Sequence, residues 1–259
     1  GIYIADWKSR EIIQLSKSDG LQSDVCLKTF EDFNGNLWIG MQNGISIVDL
    51  HSSVRLVNDK NGLDGSGYDY LEDGKYTYYT TSSGLFIKAE NEEKAKLIPS
   101  TEGPSYSIKK LRNDVYVCSQ SGLLLADGEK VEQIAPIEGL WDIKPLTQNS
   151  NYLIGGTYKG LHVFKWVDDK LVHLGKIEGF NESSRFFEED DRGTLWVSQF
   201  YKGLYNLKAD LDNLKLISTT EIDSANNVPL SEVIVKKIQG EIYVASKKGL
   251  YVLDQQNIV

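Results

Sequence analysis

The chain has 259 residues, of which 41% are hydrophobic and 25% charged, and a formal net charge of −9 at pH 7. Its apolar mass suffices for a large core, which excludes a disordered chain, and its 28 Lys and Arg residues form no dense block that could follow a nucleic-acid backbone. No run approaches the roughly 18 to 20 apolar residues that span a bilayer, and the start, GIYIADWKSR, has neither a basic region nor an apolar signal core.

In chain order, a strand at the start (GIYIAD) is followed by REIIQL, and a pattern then recurs to the end. Gly followed by Leu or Ile and a strand stands at Gly1, Gly44, Gly84, Gly122, Gly160, Gly203 and Gly249. Before each of these glycines except the first lies another short strand, in turn LWIGM, YTYYT, VYVCS, YLIGG, LWVSQ and IYVAS. A polar turn such as QNG, SSG or YKG joins the two, and glycine suits a hairpin turn that needs positive φ. An earlier strand, such as CLKTFED, YSIKKL or SEVIVKKI, precedes each pair, and a fourth, such as VRLVND, KVEQIA or LKLIS, follows it.

Four short antiparallel strands per unit of about 40 residues is the arithmetic of a β-propeller, whose four-stranded blades stand radially around an axis. The expected fold is therefore all-β, a single propeller segment of about six to seven blades over 1–259. A half blade covers 1–18, and blades cover about 19–59, 60–99, 100–136, 137–175, 176–218 and 219–259. The absence of an initial Met suggests a piece of a longer protein, and the unequal ends suggest a seven-bladed ring cut at its ends.

Trp38, Tyr78, Tyr116, Leu153, Trp196 and Tyr243 are expected at one position of the second strand, as blade-packing residues. Cys26 and Cys118 lie in apolar strands far apart, and a domain of this size does not need a disulfide. His51, His162 and His173 share no ligand spacing, so neither a metal nor a cofactor is expected. The acidic run Glu188, Glu189, Asp190 and Asp191 is expected to be a solvated strand end.

Two stretches carry a resemblance. DGLQSDVCLKTFEDFNGNLWIGMQNGISIVDL (19–50) and FNESSRFFEEDDRGTLWVSQFYKGLYNLK (180–208) resemble the two-component-regulator propeller repeat. The matching features include Gly20-Leu21, Glu31-Asp32, Asn34-Gly35-Asn36, Leu37-Trp38-Ile39-Gly40 and Gly44-Ile45, and the other copies are degenerate. The resemblance implies the extracytoplasmic, periplasmic sensing region of a Bacteroides-type hybrid two-component regulator. It also implies an oligosaccharide ligand, a homodimeric parent receptor, and kinase and DNA-binding parts outside this segment. The segment itself is expected to bind no nucleic acid and to meet a membrane only through its parent.

An enzyme is the weaker reading. DRGTLW, with Asp191, Gly193 and Trp196, partly fits a sialidase Asp-box, but the five arginines, Arg10, Arg55, Arg112, Arg185 and Arg192, supply no convincing carboxylate-gripping triad. No phosphate-binding loop or nucleophile elbow is present. A propeller glycosidase or lyase and a protein-interaction or dimerisation scaffold remain the alternatives.

Propeller ligands usually meet the loops that lead into the innermost strands. Here those loops carry Asp24, Tyr68, Asp69, Tyr70, Tyr106, Trp141, Asp142, Asn181, Arg185 and Glu232. Aromatics interleaved with acids, amides and an Arg suit a sugar, which offers an apolar face for stacking and hydroxyls for directional hydrogen bonds. Trp141, Tyr106 and Arg185 lead this set.

Overall fold

The structure, a computed structural model, describes residues 1–8, 10, 12–52, 57–222, 232–254 and 257–258. It divides into two compact units, Gly1–Val57 and Asn58–Val259. The first holds a two-stranded sheet of β1 (Ile2–Ala5) and β2 (Ile12–Leu15), and a three-stranded sheet of β3 (Cys26–Glu31), β4 (Asn36–Met41) and β5 (Gly44–Asp49). Most of the expected fourth strand of that sheet, in VRLVND, lies outside the described residues.

Among the described residues the second unit contains five antiparallel four-stranded sheets, each ordered as the chain runs. They are β6–β9 (Gly67–Asp73, Tyr76–Thr81, Leu85–Ala89, Lys96–Leu97), β10–β13 (Ser105–Leu111, Asp114–Ser119, Gly122–Asp127, Lys130–Pro136) and β14–β17 (Leu140–Pro145, Tyr152–Thr157, Gly160–Val167, Lys170–Lys176). The last two are β18–β21 (Phe186–Glu189, Leu195–Gln199, Gly203–Asp210, Lys215–Ile222) and β22–β25 (Ile234–Ile238, Glu241–Ser246, Gly249–Asp254, Asn257–Ile258).

One apolar cluster fills each gap between successive sheets. Tyr78, Ile87 and Ile98 meet Ile108, Val115 and Val117 in the first gap. Tyr116 and Leu123 meet Ile143, Leu153 and Phe164 in the second, and Ile154 and Val163 meet Phe187, Val197 and Leu207 in the third. Trp196 and Leu204 meet Val235, Ile242 and Val244 in the fourth. Alternation along each strand makes this possible, because successive side chains serve the two neighbouring gaps.

The second-strand position holds for Tyr78, Tyr116 and Trp196, all buried against the following sheet. In the fourth repeat the residue is Ile154 rather than Leu153. Thr157 pairs with Gly160 as Ser119 pairs with Gly122, so the residue three before it, Ile154, corresponds to Tyr116. Leu153 faces the preceding sheet instead, because a slip of one residue reverses the face. Trp38 and Tyr243 occupy the same register, but the Trp38 ring is 39% exposed and Tyr243 is half-buried.

The repeated glycines have a second task besides the turn. φ is positive at Gly44, Gly84, Gly122, Gly160 and Gly203, and Gly249 is the exception. A Cβ on Gly122 would stand 2.0 Å from the Ala135 carbonyl oxygen, and one on Gly160 would stand 2.3 Å from that of Phe180. The chain leaving each of these sheets crosses directly over the glycine, and no side chain fits beneath it.

Candidate functional site

In an antiparallel four-stranded sheet, the start of the first strand and the turn between the second and third strands lie at the same end. Ser105 at the start of β10 pairs with Ser119, which pairs with Gly122 across that turn. Within the second unit, backbone bonds tie these turns to the start of the next sheet, as in Gly103 N–H to Ser83 O (3.1 Å), Gly139 N–H to Gln120 O (2.8 Å) and Ser184 N–H to Thr157 O (2.9 Å).

At this end the first strands carry a recurrent β-bulge. The register shifts between Cys26 and Lys28, Gly67 and Asp69, Ser105 and Ser107, and Leu140 and Asp142. The residues passed over are Leu27, Tyr68, Tyr106 and Trp141. Bulges of this kind re-aim a side chain and concentrate beside functional sites. Arg185 takes the equivalent place in the next sheet, since it precedes Phe186, whose partner Ser198 corresponds to Cys118 and Gly156.

The bulge residues of the second unit touch in sequence. Tyr68 and Tyr106 have ring centroids 5.7 Å apart, and Tyr106 and Trp141 4.4 Å. The Arg185 guanidinium carbon lies 4.9 Å from the Trp141 ring centre and 5.4 Å from that of Phe186. Tyr158, in the turn before Gly160, packs 4.9 Å from Trp141 and hydrogen-bonds through its hydroxyl to that of Tyr106. Burial and this bond push the Tyr106 hydroxyl pKa up, so it stays protonated as a donor or acceptor. The Trp141 indole N–H is buried and has no hydrogen-bond partner among the described residues.

Beside this column lies a cleft of about 460 Å³. Trp141, Phe186, Phe200 and Tyr201 give it aromatic walls, and Ser183, Arg185, Ser198 and Gln199 give it polar groups. Phe200 and Tyr201 meet edge to face at 5.0 Å, and Tyr201 is 83% exposed. Flat apolar walls with a few convergent polar groups suit a small polar ligand with an apolar face.

The remaining candidates have local structural partners. Asp69 accepts from the Ile108 N–H at 3.2 Å. Asp142 accepts from Ser107 Oγ at 3.0 Å and the Ile143 N–H at 2.9 Å, and pairs with Lys109 at 2.5 Å. Tyr70 is exposed on β6, Asn181 accepts from Lys176 Nζ, and Glu232 pairs with Lys247 at 3.4 Å. Asp24 belongs to the first unit, where it accepts from the Lys17 N–H at 2.7 Å and lies 3.6 Å from the terminal ammonium; the Lys17 bond is the main cause of its lowered pKa. The rest of the loop before β22, 223–231, lies outside the described residues.

The acidic run is not uniformly solvated. Glu188 and Glu189 are 7% and 8% exposed. Lys144 Nζ donates to Glu188 Oε1 and to the Phe187 carbonyl, both at 2.8 Å, and Glu189 Oε2 accepts from the Thr147 N–H and Oγ1. The end of β18 is enclosed because Lys144 and Thr147 of the preceding sheet and Lys237 of the following one bond to it. Burial lowers the Lys144 pKa while Glu188 opposes the shift.

The histidines also come closer than their spacing suggests. His162 and His173, on β16 and β17, place Nδ1 and Nε2 2.9 Å apart, with burial pushing the His162 pKa down to about 4. Among the described residues no three or more His, Cys, Asp and Glu side chains gather in a way that could hold a metal ion. Cys26 and Cys118 are both free, and burial pushes the Cys118 thiol up to about 12. Among the described residues no helix is long and apolar enough to cross a membrane.

Comparison with family models finds no match, and no curated protein matches either. Solved structures do. The extracellular domain of BT3049, assigned to a hybrid two component system of B. thetaiotaomicron, is 16% identical and matches 99% of this chain and 37% of its own, with a TM-score of 0.66. That of BT4673, from the same organism and likewise assigned, is 16% identical over 88% of this chain and 38% of its own, at 0.54. The WD40 β-propeller domain of Doa1 is 12% identical over 88% of this chain and 77% of its own, at 0.52. The chain thus spans little more than a third of the first two. Likeness of this kind fixes the fold, and the fold is the β-propeller.

Proposed function

We propose that this chain is a non-catalytic, ligand-recognising propeller module in the extracytoplasmic, periplasmic part of a hybrid two-component receptor. In this reading an oligosaccharide binds the cleft beside Trp141, and kinase and DNA-binding parts elsewhere in the parent protein receive the signal. The observation that carries it is the aromatic column Tyr68, Tyr106 and Trp141, which opens beside Arg185 into a cleft walled by Phe186, Phe200 and Tyr201. The likeness in fold to two extracellular domains supports the cellular setting. Binding of an oligosaccharide panel by the intact ectodomain, followed by calorimetry, tests the reading. Saturable binding weakened by Trp141→Ala supports it, and absence of binding across the panel removes it.

A dimerisation or scaffold role is the competing reading. Phe30, Trp38 and Ile47 form one exposed apolar row across β3, β4 and β5. Under that reading Trp38→Glu changes the sedimentation of the homodimeric parent receptor, whereas Trp141→Ala does not. Catalysis would instead appear as turnover of a polysaccharide or sialoside.

A further inference from the structure

We infer that the ligand of this cleft is an acidic saccharide, whose carboxylate or sulfate is received by Arg185. The inference rests on the saccharide-recognition reading above. Two lysines beside the cleft have carboxylate partners: Lys202, next to Tyr201, donates to both carboxylate oxygens of Glu182 at 2.9 and 2.8 Å, and Lys247 pairs with Glu232 at 3.4 Å. Arg112, elsewhere in the unit, combines an aromatic contact with a carboxylate, lying over Trp166 at 4.1 Å while its Nη1 meets Asp169 at 2.5 Å.

Arg185 has the aromatic half of that arrangement without the acid. Its guanidinium lies over Trp141 and Phe186, it is exposed, and among the described residues it forms no ion pair. Among the described residues no carboxylate lines the cleft. A guanidinium oriented by ring contacts keeps its N–H fork available for two parallel bonds to a carboxylate or sulfate, which a point-charge ammonium cannot match. On a chain of net charge −9, an unpaired cation is also the local feature that distinguishes an acidic sugar from a neutral one of the same shape.

The test titrates the full ectodomain with three saccharides of equal length: an oligouronate, a sulfated oligosaccharide and a neutral oligosaccharide. At least one acidic ligand is expected to bind about tenfold or more tighter than the neutral one, with affinity falling as salt rises. Arg185→Gln, at an exposed position, should leave the thermal midpoint unchanged and weaken the acidic ligand by about tenfold to a hundredfold, the scale of a hydrogen-bonded charge. Arg185→Lys should recover only part of that loss, and both variants should weaken the neutral ligand less than the acidic one. The uronate and sulfate arms identify the anion. Equal affinity for neutral and acidic ligands, or acidic binding insensitive to Arg185→Gln, overturns the inference but leaves saccharide recognition standing. Failure of all three to bind removes both.

Discussion

Trp196 donates its indole N–H to Asp190 Oδ2 at 3.0 Å, while Asp190 Oδ1 accepts the amides of Arg192 and Thr194 at 2.9 and 2.8 Å. One carboxylate closes the β18–β19 turn and sets the ring that fills the gap to the next sheet. Asp32 repeats the bonds with Trp38 at 2.9 Å and the amides of Asn34 and Asn36 at 2.9 and 3.0 Å. Asp190→Ala leaves three donors without their acceptor and is expected to cost about 2 to 4 kcal/mol in urea unfolding. Asp32→Ala is expected to cost less, since the Trp38 ring is exposed and water can replace the carboxylate.

Acid weakens the protein in two windows. Burial depresses His162 from the ordinary value to about 4, so the unfolded chain binds this proton first as pH falls. The stability His162 lends is complete above about pH 6.5 and is lost between there and about 4, a fall of about 1 to 2 kcal/mol after allowance for the ring's partial exposure. Asp32 is held down to about 2, chiefly by the Trp38 N–H. Its contribution is present above the usual carboxylate range and disappears as pH drops toward 2. Thermal midpoints between pH 7.5 and 4.5 should slope downward, and His162→Leu combined with His173→Leu should flatten that slope.

Lys144 and Glu188 form a largely buried ion pair between β14 and β18. Lys144→Met leaves an enclosed carboxylate whose other cation, Lys236, is 4.0 Å away. Unfolding titrations should show a loss of about 3 to 5 kcal/mol, and adding Glu188→Leu should recover much of it, because an apolar pair avoids the desolvation of two charges.

The buried Trp141 N–H has no partner among the described residues, so Trp141→Phe discards that donor and retains a flat ring. Its thermal midpoint is expected to stay close to that of the parent protein, whereas Trp141→Ala opens the contacts with Tyr106 and Tyr158 and should cost about 3 kcal/mol or more.

Much of the fold was legible because its signals are local. A glycine that tolerates positive φ, a short polar turn and strands of period two recur with the sheet, and the repeated Asp-to-Trp spacing explains why residues near Glu31 and Glu189 read alike. The carboxylate responsible is Asp190, however, and not the Asp191 of the Asp-box match. Tyr68, Tyr106, Trp141 and Arg185 were legible as residues before or within first strands, but the bulge shared by the first three was not, since an unpaired residue looks like any other in sequence. Tyr158, Phe200 and Tyr201 were missed because they sit in the turns between second and third strands. Antiparallel chain reversal brings those turns to the same end as the starts of the first strands, a signal the spacing did contain. Burial of Glu188 and Glu189 depends on two neighbouring sheets and is a tertiary effect.

Hydrogen exchange with and without saturating saccharide tests the location of recognition most directly. The account predicts added protection at 140–145, 183–188 and 198–203, with little change at the hairpins joining first and second strands. Protection confined to those hairpins, or spread over sheet faces remote from Trp141 and Arg185, would contradict it.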